Sequence, residues 1–321
     1  MSKKQQPLLE NKVFGHIVAV LFFVLLGYSL FIASSNMNYI WKWNSVPKYF
    51  AYQKETTIQA PFDGKVTLEN GTIEIKGKDG VKDIKVSKDY KILVDNKDFV
   101  YQDDDLASYT SWKPGPLMNG LFTTLKISGV ALVIAFILAS FLAFMRISNY
   151  QFLKDIATFY IAVIRGTPLL VQIFIFYFII ATIFSIERFY AGAISLGLFY
   201  GAYIAEVLRG AIQSIDKGQT EAAKSLGMNY VQTMGSIIMP QAFKRALPTL
   251  VGEMIALVKD SSLVSVISIT DLTKVGREIV ANTFSPFETW LVVAAIYFAI
   301  TFSLSIIGRK LENRMKQQGG M

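Results

Sequence analysis

Long apolar runs separated by polar stretches of unequal length dominate the chain. Val13 to Ala33 has His16 as its one strongly polar interruption, and at roughly 1.5 Å per helical residue it matches one bilayer crossing. Runs of similar or greater length cover Leu117 to Met145, Phe152 to Phe184, Ala191 to Ile212, Leu247 to Ile269 and Phe287 to Ile307. Backbone in hydrocarbon must satisfy its own hydrogen bonds, so runs this poor in charge read as helices. The pattern predicts an all-α polytopic membrane protein with six spans, at 13–33, 117–145, 152–184, 191–212, 247–269 and 287–307.

Between the first two spans the period changes. Ile73-Glu74-Ile75, Ile84-Lys85-Val86 and Tyr90-Lys91-Ile92 alternate apolar and charged positions, as short half-buried strands do. Asn70-Gly71 and Asp79-Gly80 supply the positive-φ residues of tight hairpin turns. Residues 34–113 therefore read as a segment containing a small β domain, with spacer and docking roles both open to it. Trp41, Trp43, Tyr49, Tyr52 and Trp112 near its ends read as interfacial aromatic anchors.

Charge sets the orientation. Residues 34–113 hold twelve lysines and twelve acids, so the net charge of +8 belongs to the membrane part and its flanks. That distribution argues for a topology signal and against a nucleic-acid partner. Lys3, Lys4 and Lys12 place residues 1–12 in the cytoplasm and send 34–113 across the membrane. Arg146 and Lys154, Lys217, Lys224, Lys244 and Arg245, and Arg309, Lys310, Arg314 and Lys316 then fall inside, with a cytoplasmic tail at 313–321. The expected location is a bacterial plasma (inner) membrane, multi-pass, with both termini cytoplasmic. A cleaved secretory signal ending near Ala33-Ser34-Ser35 is the competing reading of the first span, and its apolar run is long for one. The absence of cysteine and the single histidine argue against disulfides, thiolate chemistry and metal centres.

The loop 213–246 is too polar to cross the membrane and too long for a simple turn. Ala222, Ala223 and Leu226 share one face of a short helix by their spacing, with Glu221, Lys224 and Ser225 elsewhere around it. Gly227 then permits a left-handed stop. Glu221-Ala222-Ala223 followed by Gly227 resembles the EAA loop of bacterial ABC import permeases. Arg165-Gly166-Thr167-Pro168-Leu169-Leu170-Val171-Gln172, Tyr203 to Ile212, Met239-Pro240-Gln241-Ala242 and Leu257-Val258-Lys259-Asp260-Ser261-Ser262-Leu263 are similar to the branch that transports polar amino acids (His, Glu, Gln, Arg, opines). The resemblance covers about 117–312, the five-span type I importer core. It leaves out the N-terminal span and the β insertion.

The resemblance implies a permease subunit, with no catalytic residues, that couples to nucleotide-binding ATPase subunits through Glu221, Ala222, Ala223, Leu226 and Gly227. It further implies a second permease subunit, identical or homologous, an extracytoplasmic amino-acid-binding protein and surrounding lipid. No Gly-x-x-x-x-Gly-Lys-Ser/Thr segment occurs in the chain, so ATP and Mg belong to the partner ATPase and this chain needs no cofactor.

Ionisable groups within spans are costly unless they face protein or water. Arg165, Glu206, Glu253, Lys259 and Asp260, together with Thr167 beside the helix-breaking Pro168, are candidates for a translocation path. Structural ion pairs are the competing reading. Ala193, Gly197, Gly201 and Ala205 recur every four residues and form a helix-packing seam. Two other functions fit the same features: an ion-coupled secondary transporter using the intramembrane charges, and a membrane-anchored binding or scaffold module built on the outer β segment.

Overall fold

A computed structural model describes residues 12–37, 39–69, 71–87 and 89–317. Lys3, Lys4 and Asn70, and the side chains of Lys12 and Lys316, lie outside the described residues. The chain forms two units, Met1–Asn44 and Ser45–Met321. In the first, α1 (Lys12–Asn36) is apolar along its length, and Phe22, Phe23 and Phe31 are exposed as a lipid-facing span requires. Trp41 beyond it stacks on Trp43, with ring centroids 5.7 Å apart.

The second unit opens with α2 (Val46–Phe50) and seven strands: β1 (Ala51–Gln59), β2 (Gly64–Glu69), β3 (Thr72–Gly77), β4 (Gly80–Lys85), β5 (Lys91–Ile92), β6 (Phe99–Val100) and β7 (Asp105–Pro114). They form two sheets, ordered β1-β7-β5 and β4-β3-β2-β6, with every pairing antiparallel. The period-2 pattern acts as expected in β3, where Ile73 and Ile75 are fully buried with Val66, Val100 and Leu106. Gly80 takes φ +131° at the β3–β4 turn, and Gly71 takes φ +80°.

β1 and β7 make a ribbon in continuous register from Ala51↔Pro114 to Ile58↔Ala107, with a shift before Gln59↔Asp105, and its base is tied to the membrane part. The Gly115 amide donates to the Phe50 carbonyl at 2.6 Å. A Cβ at Gly115 would stand 2.3 Å from the Tyr49 carbonyl oxygen, so the approach requires glycine. Tyr49 is not an interfacial anchor, contrary to its sequence reading: it is 8% exposed and packs with Leu117, Leu272, Val275, Ile279 and Val293. Trp112, Tyr52, Trp41 and Trp43 remain exposed.

The membrane part follows as α3 (Pro116–Ile147), α4 (Gln151–Gly166), α5 (Leu169–Ile175), α6 (Arg188–Gln213), α7 (Lys217–Ser225), α8 (Tyr230–Gln232), α9 (Met239–Asp260), α10 (Leu272–Thr283) and α11 (Pro286–Gln317). α3 and α6 pack along the predicted seam. A Cβ on Gly197 would lie 2.6 Å from Ile134 Cγ2 and one on Gly201 2.8 Å from Leu138 Cδ2, while Ala193 and Ala205 are fully buried. The ascending order of these contacts means that α3 and α6 run parallel. The segment between them must therefore return across the bundle.

That return is not the single helix predicted over 152–184. Thr167 and Pro168 are extended, as steric conflict between proline and the residue before it demands, and α4 meets the following helix at a bend of 109°. α5 continues as a π-helix over Phe176–Ala181. The fifth predicted span also differs. α9 begins at Met239, eight residues before Leu247, and ends at Asp260, after which Ser261–Ile267 is 3-10 helix. Among the described residues four helices are long and apolar enough to cross a membrane, or five with the bent pair counted as one span. The predicted six include α9, whose Lys244, Arg245, Glu253, Lys259 and Asp260 dilute its apolar character.

Candidate functional site

Two groups of residues stand out, one on the connecting loop and one within the bundle. Asp216 caps α7 by accepting from the Gly218 amide at 2.6 Å. The helix stops where predicted. Gly227 adopts φ +78°, its amide donates to the Lys224 carbonyl at 2.9 Å, and the Met228 amide donates to the Ala223 carbonyl at 3.0 Å. This paired pattern satisfies the last carbonyls of the helix and fixes the chain reversal. Asn229 and Gln232 then cap the next helix reciprocally, at 2.9 and 3.0 Å. Both ends of the turn are thus pinned by hydrogen bonds.

The three apolar residues predicted to share one face do not. Ala223 is 3% exposed and faces the protein, whereas Leu226 is 82% exposed, and Ala222 and Glu221 are exposed too. Leu226 is the C-cap residue, its amide still donates to the Ala222 carbonyl at 3.1 Å, and it is exposed together with Ala222, four residues before it. The outward apolar surface contains Leu226, Tyr230 and Val231. Sequence reading missed the latter two; their signal is an adjacent aromatic and β-branched pair directly after an N-cap asparagine.

Within the bundle, Glu206 on α6 is the centre of a four-residue ion cluster. Arg209 forks onto it, Nε to Oε1 at 3.0 Å and Nη2 to Oε2 at 2.8 Å. Arg146 reaches Oε1 at 3.4 Å and also donates to Thr158 Oγ1. Arg165 Nη1 stands 3.9 Å from Oε2, and its guanidinium lies over the Tyr203 ring, 5.3 Å from the centroid. One carboxylate thus faces three guanidinium groups. A cavity of 470 Å³ opens beside them, lined by Arg146, Thr158, Arg165, Tyr203 and Glu206 among others.

Tyr200 on α6 donates its hydroxyl to Asp260 Oδ2 at 2.7 Å. Of the six residues singled out from the sequence, Arg165 and Glu206 share the ion cluster, Asp260 is bonded to Tyr200 on the helix that carries Glu206, and Glu253 on α9 is half-buried. Arg146, Arg209, Tyr200 and Tyr203 surround these residues; Arg146 reads from the sequence as a topology charge.

Thr167 and Lys259 have other surroundings. The Thr167 hydroxyl donates to the Val163 carbonyl at 3.0 Å and accepts from Gln172 Nε2 at 2.7 Å. The same amide nitrogen donates to the Ile164 carbonyl at 2.7 Å. Gln172 thus satisfies backbone groups freed where the span breaks. Lys259 lines a separate cavity of 260 Å³ with Ser262, Thr273, Trp290 and Tyr297.

Comparison with known proteins gives the family. Residues 131–317 match the family model described as "Binding-protein-dependent transport system inner membrane component". The arginine transport system permease protein ArtQ of Bacillus subtilis (strain 168) is 38% identical over 202 residues, 62% of this chain and 92% of that protein. The glutamine transport system permease protein GlnP of Escherichia coli (strain K12) is 39% identical over 209 residues, 64% of this chain and 95% of that protein. A solved amino acid ABC transporter crystallised with histidines is 41% identical, with a TM-score of 0.58 over 62% of this chain and 94% of its own. The inward-facing MetNI methionine ABC transporter, at 16% identity and a TM-score of 0.53, shares the fold. The family match begins within α3, downstream of α1 and the β insertion. On its sequence, its fold and these relatives, the chain belongs to the family of inner-membrane components of binding-protein-dependent transport systems.

Proposed function

We propose that this chain is the permease subunit of an ATP-binding-cassette importer of polar amino acids, coupled to its ATPase through the α7 loop. The observation that carries the coupling assignment is a turn, pinned at Gly227 and Asn229, that holds Leu226, Tyr230 and Val231 outward with Glu221 nearby. Apolar side chains held out of the fold gain by insertion into a partner groove. A loop fixed at both ends transmits displacement of that groove to α6 and α9. Two ATPase subunits bind ATP and Mg, a second permease subunit completes the path, and an extracytoplasmic binding protein delivers the cargo.

The path runs along Asp260, Tyr200, Glu253, Arg165 and Glu206. A strip bearing both charge signs suits an amino acid, which carries a carboxylate and an ammonium group. The names of the relatives, arginine and glutamine permeases, point to the same cargo class. The test is ATP-driven uptake in proteoliposomes holding the permease, its ATPase and its binding protein. Glu221→Lys combined with Gly227→Pro abolishes uptake while leaving the permease folded. Asp260→Asn alters the cargo concentration needed for half-maximal uptake. Uptake that survives the loop variant, or that continues without ATP and collapses with the proton gradient, overturns the assignment.

A further inference from the structure

A third cavity, of 530 Å³, lies where α3 and α6 end and α4 begins, against the α7 loop. Its charged lining residues are Arg146, Lys154 and Lys217, and no carboxylate lines it. The carboxylates adjacent in sequence have other partners. Asp155 accepts from Gln151 Nε2 at 2.8 Å, and Asp216 accepts from the Gly218 amide. Arg146 is partly neutralised through Glu206, but neither lysine belongs to an ion pair among the described residues. The rest of the wall includes the polar Gln213 and Thr220 beside Ile147, Ile212 and Ile238, and Ile212 and Ile238 are buried in the bundle core. Three cations with no facing carboxylate, at the ends of helices that cross the bilayer, match the charge of a lipid headgroup.

We propose that this cavity holds the phosphate of an acidic phospholipid, with Lys154 and Lys217 as its principal partners. Lys154 belongs to α4, and Lys217 and Thr220 to α7. A bound headgroup therefore ties the membrane bundle to the loop proposed to couple, and the lipid acts as a structural ligand of that joint. The site shares Arg146 with the Glu206 cluster, whereas Lys154 and Lys217 line this cavity and not the one beside Glu206.

The test uses the full-length permease, alone and assembled with its ATPase, in nanodiscs of equimolar phosphatidylglycerol and phosphatidylcholine. Lipid retained by the released protein is read by native mass spectrometry. The wild type retains phosphatidylglycerol preferentially in both forms. Lys154→Gln with Lys217→Gln weakens that retention about five-fold for each lysine removed, leaves phosphatidylcholine unchanged, and elutes as a folded monodisperse protein. Lys154→Arg with Lys217→Arg keeps the preference, which separates charge from folding. Undiminished phosphatidylglycerol retention in the glutamine variant overturns the proposal. So does complete displacement by soluble glycerol phosphate, which would mark a water-soluble anion site. Loss of the lipid when the ATPase assembles would assign the surface to the protein partner and would equally overturn it.

Discussion

Leu226 and Ala223 stand three residues apart on the same loop and face opposite ways, and substituting each separates docking from folding. Full burial of a leucine side chain contributes about 1.5–3 kcal/mol. With 82% of Leu226 exposed, roughly four-fifths of that remains to be gained against a partner. Leu226→Ala removes most of the side chain and is expected to cost about 1–2 kcal/mol per loop, or roughly five- to thirty-fold in affinity for the ATPase subunits. Because Leu226 makes little contact within its own chain, thermal unfolding of the isolated permease should not move. Ala223→Leu should behave in the reverse manner. Ala223 is 3% exposed, and extra methylenes in a packed site cost about 1–3 kcal/mol. It should lower the unfolding temperature first and affect association through the damaged loop. The assay is equilibrium binding of ATPase subunits to nanodisc-held permease by biolayer interferometry, paired with thermal unfolding of each variant. Unchanged affinity of Leu226→Ala, or a fall in its unfolding temperature as large as that of Ala223→Leu, would refute the division of the loop into an inner and an outer face.

Three further outcomes follow from local geometry. Gly197→Leu drives a side chain into Ile134, 2.6 Å from the Cβ position, and should destabilise by about 1–3 kcal/mol; Gly210→Ala, with open space around its Cβ, should be neutral or slightly stabilising in the same detergent melt. Gln172→Leu leaves the Ile164 carbonyl without its side-chain donor and should cost about 1–3 kcal/mol, with hydrogen exchange rising at residues 164–168 and not in α3. Asp271 is fully buried at the start of α10, outside the apolar spans, and burial holds its carboxyl above the ordinary aspartate value despite the Thr273 and Lys274 amides that it accepts. A folded pKa above the unfolded one means that its contribution is fully present below the unfolded value of 3.8 and is lost as pH rises through the folded value. At neutral pH Asp271→Asn keeps a capping side chain without the buried charge, so it should match or exceed the wild type in thermal stability, while Asp271→Ala should fall about 1 kcal/mol below Asp271→Asn. A destabilised Asp271→Asn at pH 7 would contradict this.

What the chain by itself determined was whatever depends on near neighbours. Apolar runs longer than a bilayer crossing specify membrane helices because backbone in lipid has no other partner. Period-2 alternation specified β3 and β4, and Gly227 specified the stop of α7 through its own backbone freedom. The four-residue spacing of Ala193, Gly197, Gly201 and Ala205 identified a close-packing face, though not that α3 would fill it.

Tertiary structure decided what depends on direction and company. Ala223 went inward while Ala222 and Leu226 stayed outside because the bundle covers only one side of α7. Phe152 to Phe184 broke at Thr167-Pro168 because proline excludes helix at the residue before it, and the bend persists in the bundle because Gln172, five residues on, satisfies the freed backbone; hydropathy carries no trace of that hydrogen bond. Tyr49 went inward because α10 and α11, more than two hundred residues later in the sequence, supply its neighbours. Arg146 of α3 and Arg165 of α4 reached Glu206 because those helices pack on α6, whereas Arg209 lies one turn along α6 itself. Charge counts register those arginines, but only the packed bundle sets the distances that make them a cluster.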